Sequence, residues 1–232
     1  MKRSDEVAIT EELLYFLGAL RDGNIDIRKG KNYEIKIGQK CIGWLKVLKE
    51  IVNKIFHTNV SINNNLLRIT RKEVVMKIKN ISGMVSPQSK WNTPTILKKL
   101  DSVTLIPYIR GFWDAEGGLP KNPTSTLKAE ERYISFHQKN RESLEFVRNH
   151  LINLKFSPTK ITKCGKVFEF RICRKEEIKK FYELIGSYHP EKMKRLKKLA
   201  SLSSNWRGGT QGVGRAVQSD STPKILPGPT AG

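Results

Sequence analysis

Two carboxylates stand in the same local setting nearly a hundred residues apart. Asp22 closes the apolar run LLYFLGALRDG (residues 13–23) and Glu116 closes LIPYIRGFWDAEGG (105–118), each followed by glycine. An acid at the C-terminus of a helix faces the partial negative charge of unpaired carbonyls, so the position costs stability. Gly18 and Ala19 in the first run, and Gly111 and Ala115 in the second, would let two such helices cross closely and set the acids side by side. Like charges that near must share a proton or hold a cation. Oxygen donors select a hard divalent ion, Mg²⁺ in a cell, and such an ion activates water and stabilises the leaving oxygen in phosphodiester hydrolysis. His57, His137, His150 and His189 show no metal-ligand spacing, and Cys41, Cys164 and Cys173 form no CxxC pair, so neither a zinc site nor a disulfide framework is encoded.

The elements that must position the acids are themselves duplicated. Asp22 and Glu116 lie 94 positions apart, EIKIGQK (34–40) and YISFHQK (133–139) match at an offset of 99, and RITRKE (68–73) and RICRKE (171–176) match at 103. Gly83 and Pro87 recur as Gly186 and Pro190, also at 103. Matches in one order with a growing offset imply a whole-unit repeat with small loop insertions in the second copy. In each copy the apolar parity of a strand, Tyr33, Ile35 and Ile37 or Ile134 and Phe136, points to a core on one face. Helical spacing follows in Trp44 to Ile55 and Leu144 to Leu154, then short strands near 59–63 and 66–70 and near 158–163 and 167–173, each pair leading into a Lys-rich helix at RKE. One copy reads helix, two strands, helix, two strands, helix. The expected division is 8–96 and 104–200 joined by a linker at 97–103, with a Gly/Ser/Thr/Pro-rich tail from 201 to 232.

Composition narrows the partner. The chain of 232 residues carries 43 Lys plus Arg against 22 Asp plus Glu, a net charge of +21 spread along its length. Such an excess favours a polyanion, since each neutralised phosphate releases counterions. No apolar stretch reaches the ~20 residues of a membrane span, and the N-terminus lacks the apolar core of a signal peptide. A soluble intracellular protein without membrane association is the expectation, cytoplasmic if the host is archaeal.

FLGALRDG and IRGFWDAEG resemble the paired signature helices of the LAGLIDADG homing endonucleases in their single-chain, two-motif form, over residues 8 to 200. The resemblance implies an α+β fold of two pseudo-twofold-related αββαββα halves. Their signature helices would form the interface, and antiparallel, saddle-shaped sheets would lie on a long double-stranded DNA site. It also implies a monomer that cuts DNA with Mg²⁺, with Ca²⁺ supporting binding without cleavage. Glu116 falls five residues after Gly111, as the motif requires. Asp22 falls four after Gly18, so either Leu17 takes the glycine place or this helix end is shaped differently; Asp26, the other nearby acid, lies in the next strand. The resemblance further assigns Gln39 and Gln138, each from a QK pair, to the metals' surroundings. Lys90 of SPQSKWNTP, and Lys192 or Lys194 of HPEKMKRLKK, are the candidates to stabilise transition-state charge.

With the apolar parity inward, the other parity faces DNA. That nominates Arg28, Glu34, Lys36, Arg68 and Thr70 in the first copy, and Tyr133, Ser135, His137, Lys163, Glu169 and Arg171 in the second. Because the two sets differ, the site read should be asymmetric. Three functions compete: a sequence-specific, intron-encoded DNA endonuclease, an intron RNA maturase, and a non-catalytic DNA-binding protein on the same fold. Retention of both acids favours the first.

Overall fold

The computed structural model describes residues 8–28, 32–124, 126–128 and 131–204. Two helices at its centre carry the paired acids. Helix α1 (Glu11–Ala19) starts on Thr10, whose hydroxyl accepts from the Leu13 amide at 3.2 Å, with Glu11 and Glu12 favourably placed in the first turn. Helix α4 (Ile106–Glu116) starts with Pro107 in its first turn, where the missing N–H costs nothing. Both are buried nearly all round, which is why neither shows a polar stripe: Leu13 to Ala19 on α1, and Tyr108, Ile109 and Gly111 to Asp114 on α4, are all inaccessible.

The helices touch through their glycines. A Cβ on Gly18 would lie 2.2 Å from the Tyr108 carbonyl oxygen, and one on Gly111 would lie 2.0 Å from that of Tyr15. These obstacles are backbone atoms and cannot swing aside, so the close crossing expected from the small residues is enforced at both glycines.

Each helix feeds its own antiparallel sheet. In the first half β1 (Gly23–Arg28), β2 (Asn32–Gly38), β3 (Ser61–Asn63) and β4 (Leu66–Ile69) are ordered β1-β2-β4-β3. Helix α2 (Ile42–Phe56) and helix α3 (Lys72–Ser82) complete that half. In the second, β5 (Gly117–Gly118), β6 (Ile134–Gln138), β7 (Thr162–Cys164) and β8 (Val167–Ile172) repeat the order as β5-β6-β8-β7. Helices α5 (Arg141–Asn153) and α6 (Lys175–Leu184) are the counterparts of α2 and α3, and α7 (Pro190–Ser204) follows. Ile35, Ile37, Ile134 and Phe136 are fully buried, as strand parity requires. The core runs continuously through both halves.

The repeat is imperfect in two places. Strand β1 spans six residues against two in β5. The chain after Pro190 forms a helix of 15 residues, whereas the chain after Pro87 makes only short 3-10 turns at Gln88–Lys90 and Thr95–Lys99. Helix α7 enters the stretch read from composition as a tail; residues 205–232 lie outside the described part. Among the described residues no helix is long and apolar enough to cross a membrane, and Cys41, Cys164 and Cys173 are free thiols.

Candidate active site and DNA-facing sheets

The one-residue shortfall in the first motif has a structural explanation. Helix α1 stops at Ala19 and the chain continues as a 3-10 turn, Leu20–Asp22, whereas α4 stays α-helical to Glu116. A 3-10 turn rises ~2.0 Å per residue against ~1.5 Å in an α-helix, so four residues from Gly18 advance ~7.5 Å, as do five from Gly111. Both acids therefore reach the same level below the crossing.

Asp22 accepts a hydrogen bond from Gln39 Nε2 at 2.5 Å. Burial pushes its carboxyl up to about 6, opposed by that amide and by Lys192. Glu116 is pushed up to about 7, first by burial and then by the negative charge of Asp22, with Gln88, Lys192 and Arg21 pulling the other way. Among the described residues neither acid has a salt-bridge partner, and there is no group of three or more His, Cys, Asp and Glu side chains to enclose an ion. Two desolvated carboxylates without a matching cation suit a divalent ion that keeps waters and takes its remaining ligands from substrate phosphate, which is how Mg²⁺ is commonly bound.

The partners of the acids are not those of a symmetric pair. Gln39 reaches Asp22, but Gln138 does not hydrogen-bond Glu116: its Oε1 accepts from the Lys139 amide at 2.7 Å, and its buried Nε2 has no partner among the described residues. Gln88 serves Glu116 instead, its Nε2 donating to Glu116 Oε1 at 2.9 Å and also to the Arg21 carbonyl. The segment SPQSKWNTP directs attention to its lysine, yet Lys90 is exposed and the neutral residue two places earlier faces the acids. Sequence reasoning missed Gln88, because one glutamine in a loop has no periodicity to give it a direction.

Of the two lysines in the second copy, Lys194 is exposed, while Lys192 turns inward. Its Nζ donates to the carbonyls of Trp113 (2.9 Å), Asp114 (2.8 Å) and Gly117 (2.7 Å), capping the end of α4. Burial brings its ammonium down to about 8, against Asp114, Asp22 and Glu116, which favour the charge.

Two further buried charges escaped sequence reading. Arg21 is fully buried, with Nη1 on the Trp91 carbonyl (2.7 Å), Nη2 on that of Asn92 (3.1 Å) and its guanidinium 4.4 Å from the Trp91 ring centre. Asp114 is likewise inaccessible, and burial raises its carboxyl. It accepts from the Tyr15 hydroxyl (2.7 Å), the Ser187 hydroxyl, and the amides of Tyr188 (2.8 Å) and His189 (3.2 Å), while Trp44 Nε1 donates to the Tyr15 hydroxyl at 2.8 Å. Asp114 thus fastens the two halves together instead of facing the acid pair.

On the outward sheet faces the nominated residues fall into three settings. Thr70 and Lys163 are exposed, as is Arg28, which pairs with Asp26 at 3.2 Å. Lys36, Arg68 and Arg171 are partly open and bound to acids. Tyr133 lies beneath Arg171, with the guanidinium 4.6 Å from its ring centre. His137 faces two acceptors, the Glu116 carbonyl at 3.2 Å and Glu169 Oε2 at 3.3 Å. Glu34 and Glu169 have the outward parity but are 6% and 8% exposed, covered by the cations around them. Ser135 departs most from its expected exposure: it is buried, its Oγ only 2.7 Å from where Gly118 would carry a Cβ. Such a short side chain lies down against the neighbouring strand.

Known proteins share this fold. Residues 105–186 match the LAGLIDADG-like domain family. Homing endonuclease I-ApeI of Aeropyrum pernix is 27% identical over 217 aligned residues, covering 87% of this chain and 93% of the relative. Among solved structures, I-DmoI in complex with DNA and calcium superposes with a TM-score of 0.57 at 19% identity, covering 82% of this chain and 98% of that one. The meganuclease I-AabMI bound to uncleaved DNA gives 0.51 at 16% identity, covering 82% and 90%. With its duplicated αββαββα unit and glycine-packed helix pair ending on two acids, the chain is similar to the LAGLIDADG homing endonucleases in their single-chain form.

Proposed function

We propose that the protein is a monomeric, sequence-specific homing endonuclease that hydrolyses both strands of a long, asymmetric double-stranded DNA site with Mg²⁺, and that it is intron-encoded. The observation that carries this reading is the Asp22–Glu116 pair, drawn from two repeats, half-buried together and, among the described residues, left without a salt-bridge partner. Bound Mg²⁺ would supply Lewis-acid stabilisation of phosphate charge and a more acidic water. Asp22 and Glu116 would hold it, once their protons have left.

The chain's own groups prepare that site. Gln39 and Gln88 each donate one amide proton, fixing the rotamers of the two carboxylates without neutralising them. Lys192 holds the end of α4 and lends positive potential to all three nearby acids, which lowers the cost of keeping them charged. The sheets on either side offer the basic residues that would take the duplex backbone, consistent with the net charge of +21.

The test is incubation of the protein with a randomised duplex library in Mg²⁺ and, separately, in Ca²⁺. Specific double-strand cutting in Mg²⁺ that Asp22→Asn and Glu116→Gln abolish, with binding in Ca²⁺ retained, is the expected result. Specific binding without cutting by the unaltered protein would support a non-catalytic DNA-binding role instead. Preference for structured RNA would support a maturase.

A further inference from the structure

The two halves place the same arginine under a carboxylate, by different routes. Arg68 and Arg171 occupy equivalent positions in RITRKE and RICRKE, on β4 and β8, with the outward parity. Their side chains are almost equally open, 44% and 45%, and the acids that hold them almost equally closed, 7% and 10%. Glu34 Oε1 accepts from Arg68 Nη1 at 2.9 Å while its Oε2 meets Lys36 Nζ at 2.8 Å. Glu169 Oε1 accepts from Arg171 Nε, and its Oε2 lies 3.3 Å from His137 Nε2. The acids are not copies of each other, since Glu34 stands on β2 and Glu169 on β8, two residues before its arginine. Copying of one unit therefore accounts for the arginines and not for their partners.

A closed carboxylate on a face meant for a polyanion opposes binding, and a phosphate contact needs no such partner. What the carboxylate supplies is direction. It fixes a side chain that otherwise loses much rotamer freedom on binding, and at Arg171 the Tyr133 ring holds the guanidinium from beneath. At Arg171 the bond to Glu169 uses Nε and leaves the Nη1–Nη2 edge, the fork that fits O6 and N7 of guanine in the major groove; at Arg68 the bond to Glu34 takes one hydrogen of Nη1 and leaves the other with those of Nη2. We infer that Arg68 and Arg171 each read one guanine, at pseudo-twofold-related positions on opposite strands, and that Glu34 and Glu169 are positioning residues that aim them. The target is then asymmetric in most positions but carries one mirrored pair of G·C base pairs.

This inference rests on the DNA-binding reading above, and one experiment separates the two. The full chain and its variants Arg68→Ala, Arg171→Ala, Arg171→Lys, Glu34→Gln and Glu169→Gln are used to select from a randomised duplex library in Ca²⁺, with thermal melting to verify folding. The unaltered protein should enrich a motif with a G·C pair in each half, equidistant from the centre. Each arginine-to-alanine change should lose guanine preference at its own position by roughly 5- to 150-fold and leave the mirrored position intact. Arg171→Lys should weaken that preference because lysine lacks the fork, and each glutamate-to-glutamine change should blur the position its arginine reads. A motif without the mirrored pair, or a uniform loss of affinity with no position relaxed, overturns the inference and leaves the endonuclease reading standing. Enrichment of no sequence by the unaltered protein overturns both.

Discussion

The ends of α1 and α4 do the same task with different means. The α4 end is a regular α-helix whose carbonyls are capped by the buried ammonium of Lys192, with Glu116 five residues beyond its packing glycine. The α1 end is a 3-10 turn one residue shorter, its Arg21 carbonyl met by the neutral Gln88 amide, and the side chain of Arg21, its neighbouring cation, is turned away onto Trp91 and Asn92. Once two copies share one chain, only the positions of the two carboxylates need to agree. The scaffold that delivers each acid is free to diverge.

The crossing itself should be the least tolerant of change. Gly18→Ala and Gly111→Ala each force a Cβ into opposing backbone, so each should cost ~3 kcal/mol or more, read as a lowered midpoint in denaturant unfolding. Comparable losses at both glycines would show that the interface is symmetric where the ends are not. A mild effect at Gly18 alone would mean that the 3-10 turn lets α1 shift.

Next in size is the contrast between the caps. Lys192→Met strips three part-buried carbonyls of a charged donor and should destabilise by ~2–4 kcal/mol. Gln88→Leu removes one neutral amide and should cost ~1 kcal/mol. Equal costs would remove the distinction between the two ends. Tyr15→Phe, which takes one donor from Asp114 and the acceptor from Trp44, should fall between them at ~1–2 kcal/mol. Equilibrium unfolding of the three variants under one set of conditions ranks them.

The remaining effect is a pH dependence. Both acids have folded pKa values above their ordinary ones, about 6 for Asp22 and about 7 for Glu116, so the native state binds their protons more tightly than the unfolded chain does. The stability they contribute is fully present below the ordinary carboxylate range and is lost as pH rises through about 6 and then about 7. Without divalent metal, the thermal midpoint should therefore decline between pH 5.5 and pH 7.5 by more than in the double variant Asp22→Asn/Glu116→Gln. Mg²⁺ or Ca²⁺ should raise the midpoint at the upper pH and have little effect at the lower. A metal effect that ignores pH, or persists in the double variant, would dissociate these acids from the ion.

Much of the architecture was legible because burial leaves periodic marks. Strand parity at Ile35, Ile37, Ile134 and Phe136 and the spacing of α2 and α5 follow from one-sided packing, and the repeat told how many times each element occurs. The acids were legible because their setting recurs. Residues whose placement depends on a loop's path were not. Gln88 and Asp114 connect the halves and Arg21 ties the first motif to the Trp91–Asn92 segment, yet each is an isolated polar residue whose direction only the folded chain defines. Ser135 misled for a related reason: parity gives the face of a side chain but not whether a small one stands up from it.

The segment between Trp91 and Thr93 does more than connect. Its carbonyls receive Arg21 from the first half and the Ser143 hydroxyl from α5, Asn140 Nδ2 donates to Ser89 and Asn92, and the Thr93 amide donates to Glu142 at 2.7 Å. In recombination terms the natural seam between the halves therefore lies after this segment and not before it. A chimera that keeps the first half must carry residues 86–94 with it, matched to an acceptor half whose α5 begins with Asn, Glu and Ser in the places of Asn140, Glu142 and Ser143.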